Sequence, residues 1–308
     1  MSFAGDLKNE LCLIEHNDGE RALAECYGMA ITSRGFDANS VTLVTESRSV
    51  AERYAVLTGL VCGAKLQITS RAKSDGSSTY TVSAAEPDRA QILSAFGHTG
   101  AEPSRKIRLE NIRREELLSD FIRGVYLSCG SISDPNKSYH LELAVPYLNL
   151  SRELAAILEK FLCGPKQVRR RGDYVLYYKE SENIEDFLTF IGAPMRALEI
   201  MEIKVVKDVR NQVNRRTNCE TANIDKTVAA SSRQVADIEF IRDHMGLDHL
   251  PENLREIALL RLEGPEMSLA ELGNALSEPI SRSGVNHRLE RISRIAGELR
   301  SRHVRSDG

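Results

Sequence analysis

SDFIRGVYLSCGSISD, Ser119 to Asp134, opens the better marked of two similar stretches of the chain. SDFIRGVYLSCG reads as a helix with small residues along one face and a glycine, Gly130, at its end. Asp134, followed by Pro135-Asn136, reads as a turn residue. YHLELAVP (Tyr139–Pro146) then alternates as a strand, and LSRELAAILEKFLCG (Leu150–Gly164) is a helix stopped by glycine. KQVRRR (Lys166–Arg171) and DYVLYYK (Asp173–Lys179) form a strand pair around Gly172-Asp173. ENIEDFLTFIGA (Glu182–Ala193) closes the unit as a helix.

The same order occurs upstream. RALAECYGMAITSRG (Arg21–Gly35) is the opening helix, and SVTLVTES (Ser40–Ser47) is the strand after it. SVAERYAVLTGLVCG (Ser49–Gly63) is the central helix; KLQITSR and STYTVSA pair around Asp75-Gly76. PDRAQILSAFG (Pro87–Gly97) closes the unit. Gly35 and Gly130 are 95 residues apart, as are Gly97 and Gly192, and the inner pair, Gly63 and Gly164, are 101 apart. Shared order with shared glycines predicts a duplicated α/β unit.

An α-β-β-α-β-β-α unit used twice, with the two opening helices packed together, resembles the LAGLIDADG homing-endonuclease fold. FIRGVYLSCGSISD is similar to that family's motif, a small-faced helix ending in acid-glycine, with Gly124 and Gly130 at the motif's glycines. The resemblance implies a metal-binding carboxylate just before the terminal glycine of each helix. Cys129 stands there in the second unit and, in an ungapped match, Arg34 in the first. Mg²⁺ requires hard oxygen ligands; a thiol is too soft and a guanidinium repels the ion. The expectation is a scaffold without catalytic residues and without a metal or other cofactor.

The composition suits such a reading. The 308 residues are 28% charged and 42% hydrophobic, ordinary globular values. MSFAGDLKNEL has no basic, then apolar, leader pattern, and no apolar run approaches a membrane span, so a cytoplasmic, nucleoid-associated protein with no membrane partner is expected. Cys12, Cys26, Cys62, Cys129, Cys163 and Cys219 are scattered without C-x-x-C spacing, which argues for free thiols over a disulfide framework or a zinc site. Net charge is −3, which excludes a protein that coats DNA by charge alone. The charge is unevenly spread. Lys204–Arg216 has five basic residues and one acidic, Thr217–Pro279 five and twelve, and Ile280–Arg305 seven and two. For RKIRLENIRR (Arg105–Arg114) and KQVRRR two readings stand: a solvated or edge-protecting face, or a secondary phosphate contact.

Beyond Arg216 the pattern is helical throughout. NIDKTVAASSRQVADIEFIRDHMG stops at Gly246, and LPENLREIALLRLEGP has Pro251 in its first turn and Gly264-Pro265 at its end. In MSLAELGNALSEP, Ser268 followed by Glu271 is a capping-box pattern. After Pro279 comes SRSGVNHRLERISRIAGELRSR, with Val285, Leu289, Ile292, Ile295, Ala296 and Leu299 on one stripe. Ser283, Asn286, His287, Arg291 and Arg294 project toward the other side, with Arg288 on the flank. Ser281, Arg282 and Ser283 sit at the helix start, where free N–H groups favour phosphate. A short helix, a turn and a longer helix with polar and basic residues near its start make a helix-turn-helix. The expected DNA contacts are Ser268, Ser281, Arg282, Ser283, Asn286, His287, Arg288, Arg291 and Arg294, with Arg210, Arg215 and Arg216 as secondary contacts. For His287 a plain surface histidine remains the alternative. An amphipathic helix of an ordinary bundle remains the alternative for the whole segment.

A LAGLIDADG-like duplication, a basic linker and this helical domain together resemble the WhiA family of bacterial sporulation and cell-division regulators over nearly the full length. The match is most specific in NRRTNCETANIDKTVAAS (Asn214–Ser231) and SLAELGNALSEPISRSGVNHRL (Ser268–Leu289). It implies an α+β chain: repeats at 1–100 and 101–205, a polar basic linker at 206–224, and an all-α DNA-binding domain at 225–308 similar to the promoter-reading region of sigma factors. It also implies promoter DNA as the partner and a non-enzymatic role in transcription. RNA polymerase, a sigma factor or another regulator is a further partner to weigh. An adaptor acting through protein contacts and a surviving nuclease are the competing functions. For NRRTNCETAN, a hinge and a second DNA contact both stay open.

Overall fold

The structure, a computed structural model, describes residues 2–16, 18–74 and 76–306; Asp75 of the expected turn lies outside them. The chain divides into two units, Met1–Asp208 and Val209–Gly308. Among the described residues, no helix is long and apolar enough to cross a membrane.

The first unit is organised by two crossing helices, α2 (Gly19–Thr32) and α5 (Leu117–Cys129), preceded by α1 (Phe3–Cys12), a helix outside the duplicated unit. The crossing depends on two absent side chains. A Cβ at Gly28 would lie 2.2 Å from the Phe121 carbonyl oxygen, and one at Gly124 would lie 2.0 Å from that of Glu25. Only glycine lets the backbones approach so closely.

Each crossing helix leads into a four-stranded antiparallel sheet. In the first copy the elements are β1 (Gly35–Phe36), β2 (Val41–Thr45), α3 (Arg48–Cys62), β3 (Leu66–Ala72), β4 (Ser78–Ala84) and α4 (Glu86–Ala95). In the second they are β5 (Gly130–Ile132), β6 (Leu141–Val145), α6 (Leu148–Phe161), β7 (Lys166–Arg170), β8 (Asp173–Tyr178) and α7 (Ser181–Phe190). The strand orders match, β1-β2-β4-β3 and β5-β6-β8-β7. The expected αββαββα order is therefore present twice. Alternation places Val41, Leu43 and Val82, and likewise Leu141, Leu143 and Leu176, in one core beneath both sheets. Thr42, Val44, Thr79 and Thr81 face away from the core in the first sheet, and Glu142, Ala144, Val175 and Tyr177 in the second.

The helix α8 (Pro194–His244) begins in the first unit and ends in the second, so the segment 206–224 is helical along its whole length. In the second unit α9 (Glu252–Glu263), α10 (Leu269–Ala275) and α11 (Arg282–Ser306) close a separate core with the end of α8. Ile238 and Ile241 come from α8, Leu254 and Ile257 from α9, Leu272 from α10, and Val285, Leu289, Ile292 and Ala296 from α11.

Candidate nucleic-acid interface

The geometry of α10 and α11 follows from three local features. The Ser268 hydroxyl accepts from the Glu271 N–H at 3.2 Å, and the Glu271 carboxylate accepts from the Ser268 N–H at 2.7 Å, which closes the expected capping box. The turn then folds back on Gly273, whose carbonyl accepts from the Ile280 N–H at 3.1 Å; a Cβ there would meet the Ile280 carbonyl at 2.4 Å. The Ser281 hydroxyl accepts from the Gly284 N–H at 3.3 Å and caps α11. The buried stripe of Val285, Leu289, Ile292 and Ala296 fixes which face of α11 points outward.

The twelve expected contact residues do not form one group. Ser268 and Ser281 have their hydroxyls committed to helix caps. Arg288 is half-buried and its guanidinium donates to the Asn253 carbonyl at 3.3 Å, holding α11 to the start of α9. Arg282, Ser283, Asn286, His287, Arg291 and Arg294 are exposed. At about 100° per residue, Ser283, His287 and Arg294 lie opposite the buried stripe. Arg282 and Asn286 occupy the flank nearer α10, and Arg291 the other flank, on the side of Arg288. The Asn286 amide donates to Glu290 at 2.9 Å, which holds the side chain along the helix. Arg210, Arg215 and Arg216 are exposed on α8, and Arg216 pairs with Glu220 at 2.9 Å.

The ends of the crossing helices show what became of the position expected to hold metal. Gly28 and Gly124 oppose each other's helix and are 96 residues apart, not 95, and Phe36 pairs with Val41 as Ile132 pairs with Leu141. The counterpart of Cys129 is therefore Ser33, and the ungapped match to Arg34 is one residue out of step. Arg34 points into solvent and pairs with Asp173 at 2.6 Å. Neither Ser33 nor Cys129 supplies a carboxylate, and each is engaged with its own helix. The Ser33 hydroxyl donates to the Ala30 carbonyl at 2.7 Å, and the Cys129 thiol donates to the Val125 carbonyl at 3.3 Å. Burial pushes that thiol up to about 12.

Arg105 occupies the end of α2 beside Ser33. Its guanidinium donates to the carbonyls of Ile31 (3.3 Å), Ser33 (2.5 Å), Arg34 (3.4 Å) and Phe36 (2.9 Å), and stacks 4.3 Å over Tyr147. It is a cap on the carboxyl end of α2, where the helix dipole favours a cation. Of the other eight basic side chains of these stretches, four form ion pairs among the described residues: Arg108 with Glu102 at 3.9 Å, Arg114 with Asp18 at 2.9 Å, Lys166 with Glu180 at 3.5 Å, and Arg170 with Glu142 at 3.8 Å.

One polar cluster had no signal in the sequence. His16, Glu25 and Asp120 bring ligand atoms within 4.8 Å of one another. Arg53 donates to Glu25 at 2.8 and 3.0 Å, and Arg123 bridges Glu25 at 3.1 Å and Asp120 at 2.8 Å. Two guanidiniums already balance the two carboxylates, so the group is an ion-pair network and not a cation trap. Burial pushes the Glu25 carboxyl up, but hydrogen bonds from His16 and Arg53 hold it down at about 2. Its members come from three separate segments, which is why spacing could not reveal it.

Comparison with known proteins agrees with both units. Residues 118–210 match the model of the WhiA LAGLIDADG-like domain, and residues 213–296 that of the WhiA C-terminal HTH domain. The "probable cell division protein WhiA" of Clostridium novyi is 37% identical over 97% of this chain and 99% of its own length. The protein of that name from Thermoanaerobacter sp. is 36% identical over 99% of this chain and 100% of its own. The crystal structure of full-length WhiA from Thermatoga maritima is 27% identical, covers 97% of this chain and 99% of its own, and superposes with a TM-score of 0.59. A chain with this duplicated fold, this helix-turn-helix and relatives alike from end to end belongs to the WhiA family.

Proposed function

We propose that this chain is a sequence-specific DNA-binding regulator that reads promoter DNA through α11. The observation that carries the reading is the outward arc of α11, with Ser283, His287 and Arg294 exposed on a helix whose opposite face is sealed in the core. His287, in the middle of that arc, would meet base edges, and Asn286 would do so on releasing Glu290. Arg282 and Arg291, on opposite flanks, are placed to meet the two phosphate backbones that border a major groove. The printed name of the relatives supports a role in cell division, and the family resemblance extends it to sporulation where the source organism sporulates. The reading puts the protein in the cytoplasm, at the nucleoid. The first unit then serves as a non-catalytic body, since Ser33, Arg34 and Cys129 supply no carboxylate for a metal ion.

The test uses the full chain and two fluorescein-labelled duplexes, one selected by the protein from a random pool and one scrambled. His287→Ala and Asn286→Ala should each cost about 1–3 kcal/mol on the selected duplex and little on the scrambled one. Leu289→Ala, in the core, should lower the melting temperature instead, at about 2–5 kcal/mol. If both surface variants bind the selected duplex as the unaltered protein does, α11 is not the reader.

A further inference from the structure

Arg261, on α9, is only 2% exposed, and it forms no ion pair among the described residues. Its Nη1 donates to the carbonyls of Pro265 at 3.2 Å and Met267 at 2.6 Å, while its Nε is buried without a partner. Burial alone lowers its pKa, with no neighbouring charge to restore it. A buried guanidinium without a counter-ion is unfavourable, and a buried unbonded donor adds to that cost. The amide oxygen of Gln234, across the same hollow, is also buried and unbonded. An unpaired guanidinium donor calls for an acceptor from outside the chain.

Both line a groove of about 750 Å³ between residues 223–234 of α8 and the starts of α10 and α11. Lys226 stands on the α8 side and Arg282 on the α11 side, and Glu266 is the one acidic residue among the lining. Three cations against one carboxylate favour an anion. The groove is continuous with the face proposed to read DNA, because Arg282 and Asn286 belong to both. The stretch that matches the family's HTH model starts at residue 213, so the α8 wall belongs to that domain.

We infer that this groove holds a phosphate of the DNA backbone beside the bases read by α11, between Lys226 and Arg282 and above Arg261. The inference rests on the reading of α11 as a DNA reader and gives α8 a direct part in binding. Residues 223–234 then act as a wall that sets where one DNA strand runs.

Lys226 is exposed and makes no structural hydrogen bond among the described residues, so Lys226→Ala should fold and melt as the parent does. With the full chain and the same two duplexes, it should weaken binding alike on both. Losing one phosphate contact should flatten the slope of log affinity against log salt by about 0.9. Between 50 and 200 mM salt the variant should therefore lose roughly 3-fold less affinity than the parent. In a series of selected duplexes each carrying one methylphosphonate, one position should weaken the parent but leave Lys226→Ala almost unchanged. An unchanged salt slope on both duplexes, or additive losses at every methylphosphonate position, overturns the inference. The two readings fail separately: loss of discrimination follows His287 and Asn286, and loss of salt dependence follows Lys226. Should the parent bind neither duplex, both fall.

Discussion

Replacing Gly124 by alanine tests the helix crossing on which the first unit is built. The new methyl would stand 2.0 Å from the Glu25 carbonyl oxygen, whereas ordinary contact begins near 3.4 Å, so the helices must part by about 1.4 Å along that line. The opposing atom is backbone and cannot swing aside as a side chain would. Overpacking of this kind costs about 1–3 kcal/mol, and a rigid backbone neighbour puts the expectation at the upper end. Alanine's better helix propensity returns about 1 kcal/mol. The net loss is about 2 kcal/mol, or a fall of about 4–8 °C in the melting temperature of a unit this size. Differential scanning calorimetry of the full chain should show that fall in one transition. Gly297→Ala is the control, because a Cβ at that position of α11 meets nothing within 4 Å. Gly28→Ala should behave like Gly124→Ala, and the double variant should lose less than the sum, since the first methyl already separates the helices. A Gly124→Ala protein that melts with or above its parent would refute the close crossing.

Two further outcomes are expected. Glu25 is held at about 2 against an ordinary 4.5, so its share of stability is complete above 4.5 and fades as pH falls toward 2. Glu25→Gln should melt lower at neutral pH, by on the order of 3 kcal/mol, because Arg53 and Arg123 lose their shared carboxylate. Melting curves of parent and variant should converge in acid; parallel curves between pH 7 and 2.5 would contradict the network. Supercoiled plasmid incubated with the protein and Mg²⁺ or Mn²⁺ should stay uncut, and metal-dependent cleavage that survives repurification would restore the nuclease reading.

Much of the fold was legible because its boundaries are marked by residues with few conformational options. Glycine-terminated helices and alternating strands gave the repeat order, and Ser268 with Glu271 gave the start of α10. The strands β1 and β5, of two and three residues, are too short to carry alternation and are defined by their partners. The one-residue error at Arg34 has a related origin. Gly35 and Gly130 look alike in sequence, but register is set at the crossing, through Gly28 and Gly124. Arg105 and Arg288 show the limit of reading charge from composition. Each looks free in sequence, and each is bonded to backbone carbonyls brought near by folding. The exposed arc of α11 was readable from periodicity alone, whereas the groove around Arg261 depends on α8, α9 and two loop carbonyls meeting in space.

The Arg105 cap also bears on whether a metal site could be engineered at the crossing. Installing aspartates at residues 33 and 129 would not by itself rebuild a metal site. A guanidinium already bonded to the Ser33 carbonyl at 2.5 Å would be at hand to neutralise the first carboxylate. The second would enter a spot buried enough to push a thiol up to about 12, a setting that favours the protonated acid. Removing Arg105 to make room would strip four carbonyls of their donor and loosen the end of α2. Each single step would lower stability before a metal site could form. The strap of sequence between the repeats thus closes the end of α2 to a metal ion as well as holding it in place.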